Sequence, residues 1–168
     1  MDESATQRTM QGGWARGRDL PKGEGGRNLC RWCNLEVPKG RQTFCSEFCV
    51  VEWKLRTDMG YLRERTLARD RGVCAQCGVD TISEWNHLKR QRGTGRARAL
   101  AKWGLKTMNR KSLWDADHIV PVVEGGGGCD LENMRTLCLI CHRKATVELR
   151  ERLKRTHNQR ASLPSHNE

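Results

Sequence analysis

The 168-residue sequence has no long apolar segment, and none approaches the ~18 consecutive apolar residues that a membrane-spanning helix needs. The N-terminus also lacks the apolar core of a signal peptide. Hydrophobic residues make up only 36% of the chain, which is little material for a large core, so we expect metal ions to contribute to stability. We therefore expect an intracellular protein with no membrane partner, located in the cytoplasm or, in a eukaryote, in the nucleus.

Acidic residues are scarce relative to basic ones, and the formal net charge is +11. This balance favours a polyanionic partner such as DNA. Between His87 and Lys111 the chain has nine Lys or Arg residues and no Asp or Glu. A basic segment of this kind indicates phosphate contacts, although a solvated helix face explains any single residue equally well. The candidate nucleic-acid-binding residues are Arg90, Arg92, Arg96 and Arg98.

The nine cysteines indicate metal sites, because eight of them fall into four close pairs. In a reducing compartment such pairs bind metal more often than they form disulfides. Tetrahedral zinc takes four thiolates, so two pairs per ion predict two structural Zn²⁺ ions. A redox role or isolated burial does not explain why the pairs come in twos. The predicted ligand sets are Cys30, Cys33, Cys45 and Cys49, then Cys74, Cys77, Cys138 and Cys141, which leaves Cys129 as a packing residue.

The composition divides the chain into segments. Residues 1–27 are rich in glycine and predict a disordered arm, and residues 28–57 form an N-terminal zinc module. Residues 58–155 form the following domain, within which residues 80–112 are a basic insert. The polar residues 156–168 predict a disordered tail.

Local signals predict the secondary structure. Ser46 is a candidate N-cap. Apolar spacing and a glycine stop indicate helices, and the proline and glycine of Val37–Phe44 indicate a hairpin turn. The predicted helices are Ser46–Thr57, Met59–Asp70 and Ala145–Arg155.

The most informative segment is Asp115–Thr146, which reads DADHIVPVVEGGGGCDLENMRTLCLICHRKAT. The pair Asp117-His118 directly precedes the apolar run Ile119–Val123, which suits a short strand. Four glycines then predict a turn, and Asp130 is a candidate helix N-cap. The order is a strand, a turn and a segment that ends in a helix.

This segment resembles the HNH nucleases, or ββα-metal fold, through DHI, the glycine turn, LEN, TLC and CxxCH. The positions that give the family its name match His118, Asn133 and His142. The resemblance implies a small, zinc-stabilised α+β fold. Its ββα-metal core would be preceded by helices and by the N-terminal four-cysteine module. It also implies metal-dependent hydrolysis of DNA phosphodiester bonds.

The resemblance further implies a role for each site residue. His118 would be the general base, since imidazole accepts a proton near neutral pH. Asp117 and His142 would hold one divalent cation, with Mg²⁺ or Mn²⁺ expected. Asn133 would hydrogen-bond the backbone around the base, and Lys144 would contact DNA.

Two further positions have weaker assignments. Asp115 shares the strand face of Asp117 and could support the cation ligands. Thr146 stands where some relatives have a third metal ligand, usually histidine.

Two alternatives to a nuclease remain open. The basic charge and the eight paired cysteines also suit a non-catalytic, zinc-dependent nucleic-acid-binding module, or a module that recruits a protein partner. The sequence identifies no such partner. Asp117, His118 and His142 favour the nuclease, because a binding module has no need of them.

Overall fold

The computed structural model describes residues 12–161. The chain divides into two compact units. The first unit consists of Met1–Arg69 and His118–Arg135, and the second of Asp70–Asp117 and Thr136–Glu168.

Helices dominate the described part of the chain, which also contains a two-stranded sheet of β1 and β2. The predicted small α+β fold with two four-cysteine groups is therefore confirmed. The elements are α1 (Glu47–Thr57), α2 (Met59–Asp70), α3 (Thr81–Arg90), α4 (Gly93–Lys102), β1 (Trp114–His118), β2 (Met134–Cys138) and α5 (Leu139–Ala161).

Local capping determines where α1 begins. The Ser46 hydroxyl accepts a hydrogen bond from the backbone N–H of Cys49 at 3.2 Å, which satisfies an otherwise unpaired donor of the first turn. The predicted N-cap is thus confirmed. Helix α2 has the predicted bounds and is followed by Arg71 and Gly72, which both adopt positive φ.

The N-terminal segment departs from two predictions. No strands form at Val37–Phe44, where only the turn is present, with the Arg41 N–H donating to the Pro38 carbonyl at 3.1 Å. Residues 12–27 are held on the zinc module instead of forming a loose arm, since Lys22 forms an antiparallel bridge with Asn28. The predicted arm at residues 1–11 lies outside the described residues.

The strand predicted at Ile119–Val123 is wrong. The strand in this region is β1, which lies directly before the predicted run and ends at His118. Pro121 cannot donate a ladder hydrogen bond, and a 3₁₀ turn, Val122–Glu124, follows it. Without a sheet to cover them the apolar side chains stay in solvent, and Val123 is 68% exposed.

Asp130 caps a turn and not a helix. Its carboxylate accepts from the Glu132 N–H at 2.9 Å, and its carbonyl accepts from the Asn133 N–H at 3.1 Å. Strand β2 begins directly after this turn. The physical reason is that an aspartate side chain stabilises a turn as readily as a helix start.

The basic insert contributes three of the buried residues in the core of the second unit. Helix α3 contacts α4, and together they bury Leu88, Leu100 and Trp103 against Leu113 and Leu137. The insert is therefore structural on its apolar side. Helix α5 continues the chain from β2 and extends beyond the predicted end at Arg155. Residues 162–168, predicted as disordered, lie outside the described residues.

Within residues 12–161, no helix is both long enough and apolar enough to cross a membrane.

Candidate active site and metal centres

The first unit contains a closed group of four sulfur atoms that lie within 4.8 Å of one another. The distances are 3.5 Å between Cys33 and Cys45, 3.3 Å between Cys45 and Cys49, and 3.8 Å between Cys33 and Cys49. Four ligands at the usual zinc–sulfur distance of about 2.3 Å are separated by about 3.8 Å in a tetrahedron. The group, completed by Cys30, therefore fits one zinc ion.

The second unit brings together two cysteine pairs that are distant in sequence. The Cys74 carbonyl accepts from the Gly78 N–H at 2.8 Å, and Gly78 has a φ of +72°, which lets the chain turn back. The Ala75 N–H then donates to the Thr136 carbonyl of β2 at 2.9 Å. This bond places the turn beside the end of the strand. The predicted set of Cys74, Cys77, Cys138 and Cys141 is thus confirmed as a second group that could hold zinc.

Backbone N–H groups stabilise a thiolate in each group. Burial raises the pKa of Cys30, but the N–H groups of Cys33 and Cys45 outweigh it and lower the pKa to about 6. Burial also raises the pKa of Cys74, where N–H groups from Cys138 and Cys77 lower it to about 7. Because zinc binds the thiolate, each group offers the metal one ready ligand. Burial raises the pKa of the other cysteines that shift, Cys33 and Cys49 in the first group and Cys138 and Cys141 in the second.

Cys129 belongs to neither group. Its side chain is 1% exposed, and its thiol lies 3.8 Å from the Arg56 carbonyl. It is a packing residue of the first unit.

Three hydrogen bonds join Asn133 to the loop around His118. Its amide nitrogen donates to the carbonyls of Val120 at 2.9 Å and Gly127 at 3.1 Å, and its amide oxygen accepts from the Val120 N–H at 2.8 Å. The imidazole Nε2 of His118 lies 3.5 Å from the carbonyl of Gly128. With a proton on Nε2, the Nδ1 atom is left as the basic nitrogen. The loop that Asn133 holds thus supplies the carbonyl beside His118.

Glycine is required at one point of this loop. A side chain at Gly126 would overlap the Val120 carbonyl and come within 2.9 Å of the Asn133 amide. The backbone N–H of Gly126 donates to the Pro121 carbonyl at 3.0 Å, which closes the loop at this position. The close approach explains part of the four-glycine run that the sequence shows.

His142 lies near two carboxylates in the second unit. Its Nδ1 atom is 3.6 Å from Asp115 Oδ2, and its Nε2 atom is 3.9 Å from Asp117 Oδ1. Both carboxylates are 20% exposed, and the imidazole is 34% exposed. The structure therefore brings together the two predicted cation ligands, and it adds Asp115 on the opposite edge of the ring.

Arg110 is a site residue that the sequence did not reveal. Its Nη2 atom donates to both oxygens of Asp115, at 2.6 and 2.8 Å. The arginine thereby fixes the carboxylate that faces His142. Arg110 belongs to no sequence motif. It reaches Asp115 through the conformation of the loop before β1. A cleft of about 290 Å³ opens at this place, lined by Gly104, Leu105, Arg110, Asp115, Leu139, His142 and Arg143.

Two residues of α5 have local partners. The Thr146 hydroxyl donates to the His142 carbonyl one turn earlier, at 2.8 Å. Lys144 is exposed and lies 3.9 Å from the Glu148 carboxylate. Its predicted contact with DNA stays a prediction.

The four arginines of the insert differ in environment. Arg90, Arg92 and Arg98 are exposed. Arg96 is half-buried, and its guanidinium donates to the carbonyls of Gln91 at 2.8 Å and Lys89 at 3.4 Å. Arg96 therefore closes the end of α3, whereas the other three arginines present their charge to solvent.

Comparisons with known proteins agree with these residues. Residues 105–148 match the family model described as HNH endonuclease. The chain is 34% identical over 144 residues to the mouse protein named DNA annealing helicase and endonuclease ZRANB3. The aligned residues make up 73% of this chain and 14% of the relative. The chain is 30% identical over 161 residues to the human protein, covering 83% and 15%. The chain thus spans only about one seventh of these relatives.

A solved structure also matches, described as the crystal structure of the human ZRANB3 HNH domain. It is 28% identical, with a TM-score of 0.44, and covers 58% of this chain and 97% of that chain. The sequence resemblance to the HNH nucleases is confirmed by the family match. Residues 105–148 therefore form an HNH endonuclease segment, in a chain that is homologous to a part of the ZRANB3 annealing helicases and endonucleases.

Proposed function

We propose that the chain is a metal-dependent DNA endonuclease that hydrolyses phosphodiester bonds with its HNH segment. The observation that carries this proposal is the placement of His142 beside Asp117 and Asp115. A module that only binds nucleic acid has no need of a histidine held between carboxylates. The name of the mouse and human relatives includes the words DNA and endonuclease, which supports the substrate class.

The predicted ligands fit a divalent cation. Asp117 Oδ1 and His142 Nε2 lie 3.9 Å apart, and a small side-chain movement would let one cation contact both atoms at the roughly 2.1 Å typical of Mg²⁺. A carboxylate oxygen with an imidazole nitrogen suits Mg²⁺ or Mn²⁺, and also Co²⁺, Ni²⁺ or Zn²⁺. When bound, such a cation polarises the scissile phosphate and stabilises the departing oxygen.

The remaining roles follow from the surroundings of each residue. His118 accepts the proton of the attacking water on Nδ1, while Nε2 faces the Gly128 carbonyl. Asn133 holds the loop that carries this carbonyl. Asp115 orients His142 through Nδ1, and Arg110 holds Asp115. The two cysteine groups hold structural zinc.

The experiment is nicking of supercoiled plasmid by the purified chain with added Mg²⁺ or Mn²⁺. His118→Ala should lower the rate by the ~10²–10⁴ usually credited to a general base, because the variant loses the imidazole that accepts the proton. Zinc content and DNA affinity should remain as in the parent chain. The matched control is His157→Ala, which removes an exposed histidine of α5.

A plasmid that shifts in a gel without being cut would support the alternative of a non-catalytic binding module. If His118→Ala cuts as fast as His157→Ala, His118 is not the base, and the proposed mechanism fails.

A further inference from the structure

The first unit has a cleft that the HNH segment does not use. It is an open depression of about 610 Å³, lined by Arg16, Gly17, Arg18, Lys22, Asn28 and Gln42. Three of these residues are cationic, two carry amides and none is acidic. Clefts that hold a small ligand enclose roughly 300–1,000 Å³, so this one has room for a sugar-phosphate unit. We call it the N-terminal basic cleft.

Hydrogen bonds fix the walls of this cleft to the zinc module. The Asn28 side chain donates to the Gln42 carbonyl at 2.9 Å, which ties together the two segments that line it. The Leu29 N–H donates to the Pro21 carbonyl at 2.8 Å. Gly17 approaches Gln42 so closely that a side chain there would meet the amide oxygen at 2.9 Å. The cleft is therefore part of the folded unit.

The charge of the cleft is only partly balanced. Arg18 pairs with Asp19 at 3.7 Å, and both side chains are mostly exposed, so water weakens this pair. No carboxylate of the described residues pairs with Arg16 or Lys22. An anion in the cleft would thus meet two cations that no described carboxylate neutralises.

An exposed aromatic ring lies next to Arg16. Trp14 is 82% exposed, and the Arg16 guanidinium lies 5.6 Å from the centre of its ring. Because the indole is exposed, packing in a core does not explain a tryptophan at this position. Cations that follow a phosphate backbone, combined with an aromatic side chain that stacks on a base, are typical of single-strand binding sites.

We infer that the N-terminal basic cleft is a second nucleic-acid site, which holds the backbone of an unpaired DNA strand and stacks one base on Trp14. Arg16 and Lys22 contact the phosphates. Stacking requires a base that has left its pair, so a single strand fits this site better than a duplex. The inference concerns binding alone and goes beyond the proposed cleavage, because none of these residues lies in the HNH segment.

The test is fluorescence anisotropy of a labelled oligodeoxythymidylate with the full chain, without added divalent cation. Arg16→Glu and Lys22→Glu should each weaken binding and reduce the salt slope of log K by about 0.7 for each phosphate that the variant no longer neutralises. Trp14→Ala should weaken binding roughly five- to 150-fold, the range observed when one base-stacking side chain is removed. A duplex of the same length should lose little affinity on Trp14→Ala.

The matched control is Lys39→Glu, which makes the same charge change at an exposed position of the same module, outside the cleft. Zinc content must match the parent chain in every variant. The inference is overturned if Lys22→Glu binds the oligonucleotide as well as Lys39→Glu does, or if Trp14→Ala has no effect. It is also overturned if polyglutamate binds equally well through the same residues, which would show a general anion site. Loss of plasmid nicking with binding intact would contradict only the proposed cleavage.

Discussion

Loss of one thiolate from the second cysteine group should unfold the second unit. Cys74 is 1% exposed and belongs to the same core as Leu88, Leu100 and Trp103. A structural zinc ion contributes an apparent ~10–16 kcal/mol in zinc-finger peptides. A whole domain is stable by only about 5–15 kcal/mol. Without its zinc the second unit therefore has little or no remaining free energy of folding.

The perturbation is Cys74→Ser in the presence of a chelator, because three thiolates can still hold zinc weakly. Zinc retained after the chelator should fall from about two ions per chain to about one. Urea unfolding followed by tryptophan fluorescence should lose the transition of the second unit, whose Trp103 and Trp114 are buried. Cys33→Ser should remove the other zinc ion and leave that transition in place.

Cys129→Ser is the matched control for this experiment. It changes an equally buried cysteine that lies in neither group. The reasoning is refuted if Cys74→Ser retains as much zinc as Cys129→Ser and unfolds at the same urea concentration.

Three further predictions concern the HNH segment and the insert. Asp115→Asn should lower plasmid nicking by about 10–100-fold with zinc retained, because it weakens the orientation of His142; added Mn²⁺ should recover part of the loss. Asn133→Ala should lower the urea midpoint, since it removes three hydrogen bonds, each worth about 0.5–1.5 kcal/mol. Arg98→Glu should flatten the salt dependence of duplex binding without changing stability, and an unchanged slope would place the DNA elsewhere.

Local signals in the sequence were sufficient for some elements. Ser46 caps α1 through a bond to an N–H three residues away, so its effect is visible in the sequence itself. The spacing of each cysteine pair is likewise local. Their grouping into two sets could be predicted because four ligands per zinc leave few ways to combine the pairs.

Long-range contacts account for what the sequence did not reveal. The run Ile119–Val123 has the composition of a strand, but among the described residues no strand pairs with it, and Pro121 cannot donate a ladder hydrogen bond. The insert has the charge of a DNA-binding segment, yet Leu88 and Leu100 are core residues because of tertiary packing. Arg110 reaches Asp115 through the conformation of a loop, which no periodicity indicates.

The distribution of the two units along the chain limits how this protein can be divided. Each unit is built from two separate stretches, so no single contiguous fragment contains one unit and excludes the other. A fragment cut to the matched segment, residues 105–148, would keep Cys138 and Cys141 but lose Cys74 and Cys77. It would also lose the Leu88, Leu100 and Trp103 side chains, which pack in the core of the second unit. The smallest portable form of this HNH segment is therefore much longer than its motif, and it must begin upstream of Cys74.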